Sequence, residues 1–165
     1  MPDPITTIAW RLRLAVDSDR EWLYEVHERA MREHAERVYG PWDPDHQRAL
    51  YDRRDPRNVI EVIENDAATR IGTVHWRRID DATLEIDLLE LDPDWQRRGI
   101  GTAVVEAFKR RAGSAALVLR VHKQNVRARR FYARAGILTC GETDLHELLR
   151  WEPQSVDDVT SGDSA

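Results

Sequence analysis

The sequence predicts an α/β (α+β) fold built on one mixed sheet. Three observations lead there. Segments with the period-two alternation of strands interleave with helical segments, in the order strand, two helices, three strands, helix, strand, helix, two strands. Ala116–Val121 is a short, nearly continuous apolar run, as suits a central strand covered on both faces. Gly99–Ala112 places Val104, Phe108 and Ala112 on one helical stripe, with Ala103 and Ala107 beside it.

Trp10–Ala15 alternates apolar and basic residues like a half-buried strand. Ser18, with Glu21 three residues on, has the form of a capping box, and Trp22, Val26 and Ala30 follow at helical spacing. His27 and His34 are expected on that helix's solvent side, and Gly40-Pro41 ends it. Trp42–Arg54 reads as a short second helix, with Asp43 at the N-cap and Pro44 at the first helical position, where no amide is needed. Val59–Glu64 and Arg70–Ile79 read as strands joined by a polar turn at Asn65-Asp66, and Asp80-Asp81 leads into a third, Leu84–Leu91. Val126–Ala135 is a helix with Ala128, Phe131, Tyr132 and Ala135 on one side and Gly136 as its stop. Ile137–Cys140 and Leu145–Trp151 close the fold as strands.

The length of 165 residues fits one domain, expected over residues 1–152, with a polar, acidic tail at 153–165 expected to be disordered. A formal net charge of -5 argues against a general nucleic-acid binder. No apolar stretch is long enough to span a bilayer, and Met1–Ile8 lacks the basic and apolar regions of a secretory signal, so a cytoplasmic location is expected. Cys140 is the single cysteine, which excludes an internal disulfide and a thiolate metal cluster. Its apolar setting predicts a core residue, and no metal site is expected.

The segment Asp92–Thr102 joins a strand to a helix. Gly99 and Gly101 let the backbone approach a ligand, and the first amides of the helix lack internal partners and face anions favourably. Arg97 and Arg98 add charged donors. This is a diphosphate site, yet Val104 breaks a dinucleotide fingerprint and no Gly-Lys-Ser/Thr is present. The strand before it is irregular. Glu85 and Asp87 share one face, Leu84, Ile86 and Leu88 the other, and the alternation slips at Leu88-Leu89, as at a β-bulge that splays a strand from its neighbour.

Gln96-Arg97-Arg98-Gly99-Ile100-Gly101 resembles the Q/R-x-x-G-x-G/A motif of GNAT-type N-acetyltransferases. Asn125 to Tyr132, followed by Gly136-Ile137, resembles their N-x-x-A-x-x-F-Y-x-x-x-G-F element. Both motifs stand in order, and the resemblance covers Trp10 to Trp151; Ile137 replaces the usual Phe. The resemblance implies a mostly antiparallel central sheet of six to seven strands with flanking helices, and acetyl-CoA as acyl donor. It implies that Leu89, Glu90 and Leu91 line the pantetheine arm, that amides of Arg97, Arg98, Gly99, Ile100, Gly101 and Thr102 hold the pyrophosphate, that Asn125 touches the cofactor and that Tyr132 points at the thioester sulfur. Members that acetylate protein N-termini carry a glutamate base where this chain has Arg120, whereas histone-type members carry one at the place of Glu85.

Acetyl transfer needs an acid for the leaving thiolate and a base for the amine. Tyr132 is the candidate acid, and Glu85, then Asp87, the candidate bases; a water chain is the third route. No cysteine or serine stands out as a nucleophile, so transfer is expected to be direct, with a strand amide polarising the thioester oxygen. The acceptor, a small-molecule or peptide amine, has Tyr39, Trp42, Asp43, His75, Trp76 and His146 as candidate contacts. Trp42-Asp43 reads equally as a hydrophobic staple with an N-cap. His146-Glu147-Leu148-Leu149-Arg150 lacks the second histidine of a zinc motif. The chain is expected to be a monomer or homodimer. A non-catalytic acyl-CoA-binding module and a nucleotide-binding domain are the alternative readings.

Overall fold

The computed structural model describes residues 8–154, in which seven strands form a single sheet. The strands are β1 (Trp10–Leu14), β2 (Val59–Asn65), β3 (Arg70–Asp80), β4 (Thr83–Leu91), β5 (Ala116–His122), β6 (Leu138–Glu142) and β7 (His146–Trp151). The helices are α1 (Arg20–Tyr39), α2 (Pro44–Asp52), α3 (Ile100–Ala112) and α4 (Val126–Arg134). Strand order across the sheet is β1-β2-β3-β4-β5-β7-β6. Every neighbouring pair is antiparallel except β4 with β5, which is parallel. The crossover that a parallel pair requires is supplied by α3. The mixed, mostly antiparallel sheet of the sequence reading is therefore observed.

One face of the sheet carries the main core. Leu84 and Ile86 of β4, Leu117 and Leu119 of β5 and Ile71 and Val74 of β3 close on Val104, Val105 and Phe108 of α3. Phe108 is completely buried, and its loss to alanine would cost about 3–5 kcal/mol. The opposite face lies under α1 and α2. There Leu23 and Val26 bury, as does Trp42 from the connection between the two helices. Arg13, Asp19, Glu64 and Arg70 form an ion-pair cluster that ties the start of α1 to the first three strands.

Several expectations change. Ser18 does not cap α1: a 3-10 turn, Asp17–Asp19, precedes the helix, Asp19 takes its N-terminal position, and Glu21 reaches Arg48 instead of closing a box. The Asp19 carboxylate is engaged by Arg13, Arg70 and the Val16 amide. The buried stripe of α1 is Leu23, Val26 and His27, so His27 faces the protein interior and not solvent. His34 is half-buried. Cys140 is exposed, because β6 is the edge strand and presents it outward. The tail expected at 153–165 lies, from residue 155 on, outside the described residues.

Candidate active site

β4 pairs with β5 only from Thr83–Ala116 to Ile86–Leu119. The cause sits within β4. Opposite β3, Leu88 pairs with His75 and Ile86 with Trp76, which leaves Asp87 as the extra residue of a bulge. The slip thus falls at Asp87, not at Leu88-Leu89: Leu89 and Leu91 return to the core face with Leu84 and Ile86, and Leu88 joins the face of Glu85. Past the bulge the two strands diverge and leave the backbone of β4 from Leu88 unpaired toward β5. The opening is a cleft of ≈ 360 Å³, walled by residues 86–90 of β4, 119–122 of β5, and Asn125, Ala128 and Tyr132. Met31, His34, Arg54 and His146 complete its rim.

The loop from β4 into α3 has an anion-ready geometry. Its first helical hydrogen bond runs from the Ala103 amide to the Gly99 carbonyl, so the amides of Ile100, Gly101 and Thr102 have no partner within the helix. Arg97 (φ 58) and Gly99 (φ 80) both adopt the left-handed conformation, which curls the loop. Gln96 Nε2 donates to the Leu91 carbonyl at 2.9 Å, and Arg29 of α1 pairs with Asp92, so both ends of the turn are anchored. Arg98 lies over the Trp95 ring at 5.1 Å. A Cβ on Gly101 would come within 3.3 Å of Phe131, so α3 begins in close contact with α4.

Tyr132 is buried on α4 and lines the cleft. Burial, and secondarily the charge of Glu90, push its hydroxyl pKa well above the usual phenol range, which keeps the proton on oxygen. Asn125 also lines the cleft, and its side chain caps α4 by accepting from the Ala128 amide at 3.1 Å.

The carboxylates of β4 divide into three environments. Glu85 lies where β4 and β5 are still paired; Arg77 holds it at 2.5 Å, and it is not among the residues lining the cleft. Asp87, the bulged residue, does line it, and accepts from Asn58 at 2.9 Å and from Arg54 at 3.3 Å. Glu90 lines it too, and its Oε1 meets Nδ1 of the buried His27 at 2.7 Å. The sequence reading assigned Glu90 a backbone role only and sent His27 to solvent. The available signal was position: His27 stands four residues after Leu23, on the buried stripe.

Of the acceptor candidates, only His146 lines the cleft. Its pKa is lowered by burial, then by His122 and Arg120. The His122 ring lies 5.5 Å from His146 and 5.7 Å from His34, a cluster in which His122 went unnoticed in the sequence. Asp43 accepts from the His46 amide at 3.0 Å as the N-cap of α2, whereas Trp42 is buried beside His27 of α1, so the cap is present and Trp42 packs on the neighbouring helix. His75 is buried in β3, Trp76 donates to Glu61, and Tyr39 is exposed beside His122. Among the described residues, no group of three or more His, Cys, Asp or Glu is placed to hold a metal ion, and no helix is long and apolar enough to cross a membrane.

Comparison with known proteins agrees with this geometry. Residues 23–137 match the acetyltransferase (GNAT) family, and the chain belongs to it. A mycothiol acetyltransferase of Propionibacterium freudenreichii is 30% identical over 127 residues, covering 73% of this chain. The chain spans 40% of that relative's length. The structure of PaiA N-acetyltransferase from Thermoplasma acidophilum in complex with coenzyme A superposes with a TM-score of 0.70 at 17% identity, covering 88% of this chain and 100% of the other. An acetyltransferase from Thermus thermophilus superposes at 0.72 with 17% identity, covering 89% and 99%. Acetyl-CoA is the acyl donor of the family.

Proposed function

We propose that residues 1–152 act as an N-acetyltransferase domain that moves the acetyl group of acetyl-CoA directly to a primary amine, of a small molecule or a peptide, within a ternary complex. The observation that carries this reading is the cleft opened by the Asp87 bulge, which sets a free strand edge beside a buried tyrosine. The unpaired backbone of Leu89, Glu90 and Leu91 suits an extended amide-bearing arm. The free amides of Ile100, Gly101 and Thr102, with Arg97, Arg98 and Gly99, suit its pyrophosphate. Asn125 and His146 both line the cleft, which suits a contact of Asn125 with the arm and of His146 with the acceptor.

In this reading Tyr132 hands its proton to the departing thiolate and recovers one from the newly acylated nitrogen. A hydroxyl proton held firmly by burial suits a donor that must stay protonated until the sulfur carries charge. A β4 amide polarises the thioester oxygen. Asp87 stands in the cleft as a candidate base, whereas Glu85 would first have to leave Arg77.

The test combines thermal shift with thiol release. Acetyl-CoA at about 100 times its Kd should stabilise the chain by about 2.7 kcal/mol, whereas ATP and NAD should not. Release of CoA should then require an added amine. Tyr132→Phe should lower turnover about 100-fold with acetyl-CoA affinity retained. Stabilisation by ATP or NAD alone defeats the reading, and binding without transfer to any amine leaves an acyl-CoA-binding module.

A further inference from the structure

Glu90 is nearly buried at 5% exposure, with Thr73 opposite it in register and Leu88 beside it on its own strand. Oε1 is matched to His27, but Oε2 is buried with no hydrogen-bond partner among the described residues. A buried carboxylate oxygen without a donor is destabilising until a donor reaches it. It lies in the wall of the cleft that also holds Tyr132. A protonated amine entering this cleft carries the donor that Oε2 lacks.

We propose that Glu90, oriented by its hydrogen bond to His27, binds the acceptor's ammonium and takes its proton. The proposal rests on the acetyl-transfer reading above and assigns the base within it to a residue that the sequence had not singled out. The steps balance. R–NH3⁺ passes one proton to Glu90, and the free amine attacks the thioester carbon. The C–N bond forms and the C–S bond breaks, Tyr132 protonates the thiolate, and the acylated nitrogen returns a proton to Tyr132. The proton left on Glu90 is released to water before the next turnover.

Other groups favour Glu90 over its neighbours. Asp87 already accepts from Asn58 and Arg54, with Arg120 at 4.0 Å, which compensates its charge before any amine arrives. Glu85 is paired with Arg77. Around the Glu90–His27 pair stand Tyr24 of α1, Tyr51 of α2, His75 of β3 and Tyr132 of α4, with Arg54 and Asp87 further along. Until an amine arrives, Glu90's charge contributes to holding the protons on Tyr51 and Tyr132. His27 is a positioning residue here, and its ring is packed in turn by Tyr51 at 4.8 Å and Trp42 at 6.4 Å.

Thiol release should be measured with spermidine, 2-phenylethylamine and a peptide with a free N-terminus, for the wild type and for Glu90→Gln, Glu90→Asp, His27→Asn, His27→Leu, Glu85→Gln and Asp87→Asn. Calorimetric acetyl-CoA affinity serves as the folding control. Glu90→Gln should lower kcat/KM for the amine about 100-fold, within the range of a lost general base, and flatten the fall of the rate toward low pH. Glu90→Asp should recover part of the rate, and His27→Asn should exceed His27→Leu. A Glu90→Gln enzyme within threefold of wild type, or a larger loss in Glu85→Gln or Asp87→Asn, overturns the assignment and leaves acetyl transfer standing. A wild type that binds acetyl-CoA yet releases no thiol with any of the amines overturns the transfer reading and this assignment with it.

Discussion

His75 stands in the middle of the sheet at 1% exposure, with no hydrogen-bond partner for either ring nitrogen among the described residues. Burial, then the nearby Arg54, hold its pKa down at about 3, against an ordinary value of 6.5. Between those values the unfolded chain binds a proton that the folded chain refuses. Stability is therefore undiminished by His75 above pH 6.5 and falls as the pH drops toward 3. At about 1.4 kcal/mol per unit, the loss is about 2 kcal/mol by pH 5 and about 4 kcal/mol at pH 3. His34 and His146, lowered mainly by burial, act in the same direction but survive when His75 is replaced. The depressed carboxyls of Asp19 and Glu64 withdraw their contributions only below the ordinary carboxylate range, so the window from pH 7.5 to 5 isolates histidine. Denaturant unfolding across that window should show His75→Leu losing about 2 kcal/mol less than the wild type. At pH 7.5 the leucine variant should be no less stable, because two orphaned nitrogens, each costing about 1–3 kcal/mol, are gone. Equal acid losses in the two proteins would refute the argument.

Three further outcomes follow from positions around the cleft. Gly72 of β3 lies so close to β4 that an added Cβ would stand 2.5 Å from the Glu90 carbonyl and 2.7 Å from a Leu91 methyl. Gly72→Ala should destabilise by about 1–3 kcal/mol and weaken acetyl-CoA binding, and calorimetry showing neither would contradict the close packing. Asn125→Ala removes the cap of α4 and should lower stability by about 1 kcal/mol in denaturant titration; an unchanged midpoint would mean that the Ala128 amide finds another partner. Gly99→Ala forces a side chain into φ 80, at about 1–2 kcal/mol, and should raise the acetyl-CoA Kd more than Ala103→Gly does on the same helix; equal effects would place the pyrophosphate elsewhere.

Much of this was legible along the chain because it depends on local spacing. The apolar run of β5, the stripe of Val104, Phe108 and Ala112, and Asp43-Pro44 at a helix start each encode their element within a few residues, and each appears as read. The glycine loop was legible for the same reason, since free amides at a helix start are a property of consecutive residues. The α1 start misled because Asp19, next to the expected cap, is drawn into ion pairs with Arg13 and Arg70, and the second of these is fifty-one positions away in sequence.

By itself, then, the chain determined the element order, the glycine loop with its free helix-start amides, and the presence of a slip in β4, because periodicity and turn chemistry are short-range. Only the tertiary structure decided where the slip falls and what it opens, since register is a property of two strands: Asp87 is a bulge only because His75 and Trp76 of β3 pair around it. Only packing brought His27 of α1 against Glu90 of β4, residues sixty-three apart, and turned Glu85 toward Arg77 and out of the cleft wall. A carboxylate's chemistry is set by which charges and donors surround it, and those neighbours are assigned by the fold.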